Sequence, residues 1–372
     1  MVLSGTATDG TAGLKAIKAA GGITFAQDET AQQNGMPTSA IHAGCVDFVM
    51  SPDAISKEIV HLVTGPAMGA GPRKSGGEAA RGGSVDEFER ILTLLKRQTG
   101  VDFGQYKSNT LHRRVRRRMA RRRLPDLPSY AAYLHENPGE VESLYHDILI
   151  NVTSFFRDPD AFEVLKSKVL PALFKNRATQ DTVRAWVLGC STGEECYSIA
   201  IVLKEYATQI HSQVRLIVYG TDLSNANIEK ARAGLYPGEI ARDVSPERLR
   251  RHFVEVQGGY RVGQTIRDMC VFARQNVLAD PPFSRMDLIS CRNVLIYMEP
   301  ALQRKLMPIL HYALKPDAFL FLGPSESTGF GDELFDVVDA RHKVFRKTAG
   351  VPRPAIWRSE ERRVVKECRS RW

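Results

Sequence analysis

Six cysteines are present in 372 residues, and no two of them stand in a C-x-x-C pair. Cys45, Cys190, Cys196, Cys270, Cys291 and Cys368 therefore read as reduced thiols, with neither a metal cage nor a disulfide framework. The nine histidines have no metal-ligand spacing, so no metal is expected. No apolar run reaches the ~18 residues of a membrane span, and no charged-then-apolar leader precedes one. A cytoplasmic product without direct membrane insertion is expected. Acidic residues are missing between Asp102 and Asp126, where Lys107 and eight arginines (Arg113, Arg114, Arg116, Arg117, Arg118, Arg121, Arg122, Arg123) gather instead. These cations equal the formal net charge of +9, so the rest of the chain is neutral on balance. One basic face, not a generally basic protein, needs a partner.

What is present centres on residues 183–195. Val183-Arg184-Ala185-Trp186-Val187-Leu188 is β-branched and aromatic and reads as a buried strand. A turn bounded by Gly189 and Gly193 follows, and Glu194 to Tyr206 then shows helical spacing, with Ile199, Leu203 and Tyr206 on one face. Strand, turn and helix make the first crossover of a doubly wound sheet, where ligands bind at the carboxyl ends of the strands. A dinucleotide turn wants G-x-G-x-x-G over a bare helix N-terminus. Here the pattern is G-x-x-x-G and the helix opens with Glu194 and Glu195, which repel phosphate and suit an amino group. Val214 to Gly220 reads as a second strand ending in Thr221-Asp222, with the acid placed to accept from ribose hydroxyls. Ribose, positive charge and no phosphate together describe S-adenosylmethionine. A plain α/β turn with solvent-facing glutamates is the alternative on this stretch alone.

Along the chain, residues 1–62 read as a short α/β piece, with helices at Thr11–Ala20 and Pro37–Ala43 and a strand at Ile23–Ala26. Residues 63–83 are rich in Gly, Pro, Ala and Ser and read as a flexible linker. Residues 84–145 read as all-helical, opened by a Ser84/Glu87 capping box. Leu111, Val115 and Met119 give the arginine helix one narrow apolar stripe, so a dense cationic face is expected to point outward. Solvent, nucleic acid and an acidic protein surface are its three possible neighbours, and the lack of interleaved aromatics weakens single-strand binding. Residues 146–349 read as the sheet domain, interrupted near 235–268 by an inserted hairpin around Gly258-Gly259. Asp280-Pro281-Pro282-Phe283 matches a motif of amino-group methyltransferases acting on nucleic acid, but precedes strand four (Met286 to Ser290) and reads as a turn. Residues 350–372 read as a basic tail, disordered in expectation.

Three motifs occur in order: Asn151-x-Thr153-x-Phe155-Phe156-Arg157, Ser191-Thr192-Gly193-Glu194-Glu195-x-Tyr197-Ser198, and Cys291-Arg292-Asn293-Val294-Leu295-Ile296-Tyr297. Together, over about residues 84–347, they resemble the chemotaxis receptor glutamate methyltransferases of the CheR type. Ser4-Gly5-Thr6-Ala7-Thr8-Asp9-Gly10 and Ala26-Gln27-Asp28-Glu29…Gly35-Met36-Pro37 resemble the closing motifs of the CheB-type methylesterase. The whole is thus similar to methylesterase–methyltransferase fusions, and Cys196 departs from the proline usual at its position.

The resemblance implies an α/β class: a Rossmann-like S-adenosylmethionine-dependent methyltransferase sheet with an inserted small β-subdomain. An all-α helical domain and a partial α/β methylesterase remnant precede it. It implies methyl transfer from S-adenosylmethionine to glutamate side-chain carboxylates of methyl-accepting chemotaxis receptors, as part of chemotaxis signal transduction. Glu194 or Glu195 would hold the donor's amino group and Asp222 its ribose. Asn151, Thr153, Arg157, Asn276, Val277, Cys291, Arg292 and Asn293 would line the cofactor, and Arg157 and Tyr297 would steer the acceptor carboxylate. Arg113, Arg114, Arg116, Arg117, Arg118 and Arg121 would dock the acidic cytoplasmic helical region of a receptor. Asp9 matches the orienting member of a Ser-His-Asp triad whose nucleophile and base the sequence does not hold, so no esterase activity is expected. An RNA or DNA methyltransferase using the arginine helix and a non-catalytic receptor-binding scaffold are the alternatives.

Overall fold

The structure is a computed structural model and describes residues 1–64 and 79–350. Most of the expected linker (65–78) and the basic tail (351–372) lie outside the described residues. The chain divides into two units at Val152/Thr153.

The first unit begins with α1 (Thr11–Ala19), β1 (Phe25–Gln27), α2 (Gly35–His42), β2 (Phe48–Met50) and α3 (Pro52–Thr64). β1 and β2 pair in parallel, Phe25 opposite Phe48, and Val2 adds an isolated parallel bridge to Ala26. Four helices follow: α4 (Ala79–Thr99), α5 (Ser108–Arg122), α6 (Leu127–Glu136) and α7 (Pro138–Ile148). α4 already runs from Ala79, so Ser84 lies inside the helix and does not cap it, and residues 79–83 are helical where a linker was expected. Ala79 and Ala80, strong helix formers, carry the helix through Gly82-Gly83.

The arginine helix α5 departs from expectation too. Leu111, Val115 and Met119 are buried as the spacing predicts, but so are Arg114, Arg117 and Arg118, at 2%, 2% and 6% exposure. The helix is covered on two sides, so its buried face is far wider than one apolar stripe. On one side Arg118 makes a two-pronged bond to Glu140 at 2.8 and 2.7 Å, and Arg122 Nε joins at 2.8 Å. Burial pushes the Glu140 carboxyl up, but those arginine bonds outweigh it and hold it below the usual range. On the other side Arg114 donates to the carbonyls of Lys18 (2.6 Å) and Ala19, at the C-terminal end of α1, where a cation complements the helix dipole. Arg117 pairs with Asp47, and Arg121 approaches the same carboxylate at 3.4 Å. Ala120 packs with Phe25 and Ile55. The methylesterase-like piece is therefore seated on the arginine helix. Arg113 and Arg116 stay exposed and Arg121 half-buried.

The second unit opens with α8 (Pro159–Val164), a π-helical stretch (Leu165–Val169) and α9 (Leu170–Phe174). Then come β3 (Thr182–Leu188), α10 (Glu194–Gln209), β4 (Arg215–Asp222), α11 (Asn225–Ala233) and β5 (Leu235–Pro237). α12 (Pro246–His252), β6 (Phe253–Val256), β7 (Gly259–Val262), α13 (Gln264–Arg267), β8 (Cys270–Arg274) and β9 (Met286–Cys291) follow. α14 (Pro300–Ala313), β10 (Leu314–Leu322), β11 (Phe335–Asp339) and β12 (Val344–Lys347) close the unit. Seven strands form one sheet in the order β11-β12-β10-β9-β3-β4-β8. β10, β9, β3, β4 and β8 are parallel, β12 runs antiparallel to them, and β11, antiparallel to β12, runs in the same direction as those five. β3 runs through the middle, covered on both faces, and Trp186 Nε1 donates to Thr221 Oγ1 on β4 at 2.8 Å. Chain order reverses on either side of β3, which opens a crevice at its carboxyl end. The inserted hairpin is β6–β7, and with β5 it makes a three-stranded antiparallel subdomain in the order β5-β7-β6.

Candidate functional site

The turn after β3 depends on backbone that few side chains tolerate. Gly189 has φ +67° and Gly193 φ +101°. A Cβ on Gly193 would lie 2.9 Å from Ala231 Cβ, and one on Gly189 would lie 2.6 Å from Val294 Cγ2. Both glycines are thus required by conformation and by space together.

Asp222 ends β4 and ties that turn down. Its Oδ2 accepts from Ser191 N at 2.9 Å, and its Oδ1 from Ser224 N at 2.9 Å and Asn227 Nδ2 at 3.3 Å. Burial pushes its carboxyl up, against these hydrogen bonds. A carboxylate offers about four acceptor positions, so capacity is left for a hydroxyl donor.

The adjacent glutamates part company. Glu195 turns inward, accepting from Ser290 Oγ at 2.7 Å and Arg292 Nη1 at 2.9 Å. Arg292 is 7% exposed and also donates to the Arg157 carbonyl (2.9 Å) and to Asp158 (2.7 Å), with Phe321 and Phe162 against its plane. The side chains of Glu195 and Arg292, both expected to touch a cofactor, are thus engaged with each other inside the fold. Glu194 is half-buried, held by Thr192 Oγ1 at 2.7 and 2.9 Å, and burial pushes its carboxyl up. A desolvated carboxylate with a hydroxyl neighbour complements an ammonium group. The Ser191 hydroxyl, in the same turn, is buried with no hydrogen-bond partner among the described residues. Tyr236, from β5, closes the far side by donating to the Thr192 carbonyl at 2.7 Å.

After β8, Asn276 and the buried Val277 arrive beside the end of β4, where Gln275 N donates to the Asp222 carbonyl at 3.0 Å. Asp280 accepts from Asn276 N at 2.7 Å, and Phe283 stacks on Tyr219 at 4.8 Å and meets Trp186 edge-on at 5.3 Å. Asp280-Pro281-Pro282-Phe283 is accordingly a loop capping and packing element ahead of β9. Cys291, at the end of β9, is fully buried, and Asn293 adopts a left-handed φ of 58°. Tyr297, half-buried, ends a short 3-10 turn at Leu295–Tyr297. Thr153 and Arg157 are half-buried at the start of this unit, and Ser198 Oγ accepts from Phe156 N at 2.9 Å, joining their loop to α10. Asn151 lies exposed at the end of the other unit, and Asp9 lies exposed ahead of α1. Sequence reasoning missed Ser191 and Tyr236. Ser191 stood inside a recognised motif, whereas Tyr236 carries no local signal.

Among the described residues no cluster of three or more His, Cys, Asp or Glu could hold a metal ion, and no helix is long and apolar enough to cross a membrane.

A parallel sheet with its switch point at β3, a glycine turn and separated acids on α10 and β4 define a Rossmann-like, S-adenosylmethionine-dependent methyltransferase. The profile described as the CheR methyltransferase SAM-binding domain matches residues 151–344, and that of the CheR all-alpha domain matches 86–149. A CheB methylesterase profile matches residues 1–59. An uncharacterized 104.1 kDa protein of Rhodobacter capsulatus is 39% identical over 93% of this chain, which spans only 38% of that protein. Chemotaxis protein methyltransferase 1 of Pseudomonas aeruginosa is 32% identical over 65% of this chain and 90% of its own length. The chemotaxis protein methyltransferase of Escherichia coli is 32% identical over 64% of this chain and 84% of its own. The chain belongs to the CheR methyltransferase family, and S-adenosylmethionine is the cofactor of its sheet domain.

Proposed function

We propose that the chain methylates glutamate side chains in the cytoplasmic helical region of chemoreceptors, as a protein-glutamate O-methyltransferase acting in the cytoplasm. The observation that carries the reading is the parting of the two glutamates: Glu195 is neutralised by Arg292, leaving Glu194 beside the glycine turn as the acid for an amino group. Its support in kinship is the two relatives named chemotaxis protein methyltransferase.

The acceptor needs no general base. A free glutamate has a pKa of about 4.3 and is the nucleophile at neutral pH. When bound, S-adenosylmethionine supplies a methyl group on a sulfonium. Glu194 holds its amino group, Asp222 its ribose, and Asn276 and Val277 its adenine side. Thr153 and the main chain of Cys291, Arg292 and Asn293 complete the lining. Arg157 and Tyr297 steer the incoming carboxylate, the arginine by charge-assisted hydrogen bonds. The protein's task is an in-line approach at roughly 3 Å with water excluded.

Receptor docking falls to Arg113, Arg116 and the outer part of Arg121, since Arg114, Arg117 and Arg118 are engaged inside the first unit. Those buried guanidinia are equally withdrawn from phosphate tracking. Labelled S-adenosylmethionine is incubated with the full chain and receptor membranes, or with total RNA. Base-labile label on receptor is expected. Alkali-stable label on RNA alone, or no label despite donor binding, would overturn the reading.

A further inference from the structure

The turn leaving β9 is organised by one distant carboxylate. Glu326, 4% exposed, lies in the loop after β10. Its Oε1 accepts from Val294 N at 2.8 Å, Leu295 N at 2.7 Å and Ile296 N at 3.4 Å. Its Oε2 accepts from Asn293 N at 2.8 Å and Gly323 N at 2.7 Å. These include amides at the start of the 3-10 turn that ends in Tyr297, which have no partner within a helix's own ladder. A Cβ on Gly323 would sit 2.7 Å from Glu326 Oε2, so glycine is what lets the carboxylate come this close. On its other side the turn presses Val294 into the space above bare Gly189. Carboxylate, turn and methyl-donor loop thus form one continuous set of contacts.

We propose that Glu326 is a positioning residue for methyl transfer. It acts through Tyr297 by fixing the 293–297 turn against the donor loop. Five amide donors converge on one ionised group, and charge-assisted bonds of this kind are about twice as strong as neutral ones. Glutamine cannot replace it, because its amide nitrogen would turn an N–H toward backbone N–H groups. The proposal rests on Tyr297 steering the acceptor, as assigned above.

The experiment uses the full chain with receptor membranes and compares E326Q, Y297F and the double variant. Turnover is read alongside the Kd for S-adenosylhomocysteine by calorimetry. E326Q is expected to lower kcat by ~10–100-fold, the scale of a small misplacement of reacting groups, with the Kd within about threefold of wild type. On a Y297F background E326Q should add less than about threefold, because the two act as one unit. Gly323→Ala, which crowds the carboxylate without removing it, should give the same signature and serves if E326Q does not fold. Losses that multiply in the double variant overturn the positioning role and leave Tyr297's role standing. Wild-type turnover in Y297F overturns both. Wild-type turnover in folded E326Q or in G323A overturns the positioning role alone.

Discussion

The ion pair between Asp47 and Arg117 is the sharpest place to test how the first unit is held together. Its side chains are 0% and 1% exposed, and Asp47 also accepts from Thr24 N at 3.0 Å and Thr24 Oγ1 at 2.9 Å. Replacing Asp47 by alanine leaves the guanidinium buried with, among the described residues, the Lys18 carbonyl at 3.5 Å as its acceptor. Breaking a buried pair from one side costs ~3–5 kcal/mol, and the orphaned Thr24 amide adds roughly 1 kcal/mol. The total approaches the whole stability of a small domain, about 5–15 kcal/mol. Hydrogen exchange read by mass spectrometry should show α1, β1 and α5 losing protection together in D47A, while β3 and β9 stay protected. D47A combined with Arg117→Met should recover much of the loss, since an apolar pair satisfies what a lone charge cannot. Burial raises the Asp47 carboxyl, but the Arg117 bond outweighs it and holds it below the usual range. Its contribution is therefore full above about pH 4 and lost as pH falls through the folded value. Unchanged exchange in α1 and α5 of D47A would refute the reasoning.

Glu194→Gln should weaken S-adenosylhomocysteine binding by ~10-fold or more while leaving the free protein as stable or more stable, because it removes a buried charge. Glu195→Gln should do the reverse, lowering the melting temperature by unbalancing Arg292; a cofactor defect confined to E195Q would contradict this assignment. Gly193→Ala forces a side chain to φ +101° at 2.9 Å from Ala231 and should cost ~2–4 kcal/mol with loss of donor binding; wild-type calorimetry would refute it. Burial raises Glu205, but hydrogen bonds from His252 and Arg248 outweigh it and hold its carboxyl at about 2. That arrangement stabilises the second unit by roughly 3 kcal/mol above pH ~4.5, and the contribution is lost as pH falls toward 2. Arg248→Met should move the acid-unfolding midpoint upward, and coincident curves would disprove the link.

Much of the sheet was legible because its signals are local. The run from Val183 to Leu188 is buried on both faces, the glycines at 189 and 193 occupy left-handed backbone, and Asp222 does end the second strand. The three motifs carried the family and the cofactor for the same reason: each is a contiguous stretch of sequence.

The amino-acid order alone determined that acids, not a phosphate cradle, open the helix after the first strand, and that arginines crowd α5. Only the tertiary structure decided which of those charges face outward. Glu194 and Glu195 are neighbours with the same side chain, and they differ because Arg292, 97 positions away, reaches one of them. Arg117 and Arg116 differ because Asp47 meets one and solvent the other. A charge is assigned by what desolvates and answers it, and those groups are brought together by folding rather than by spacing.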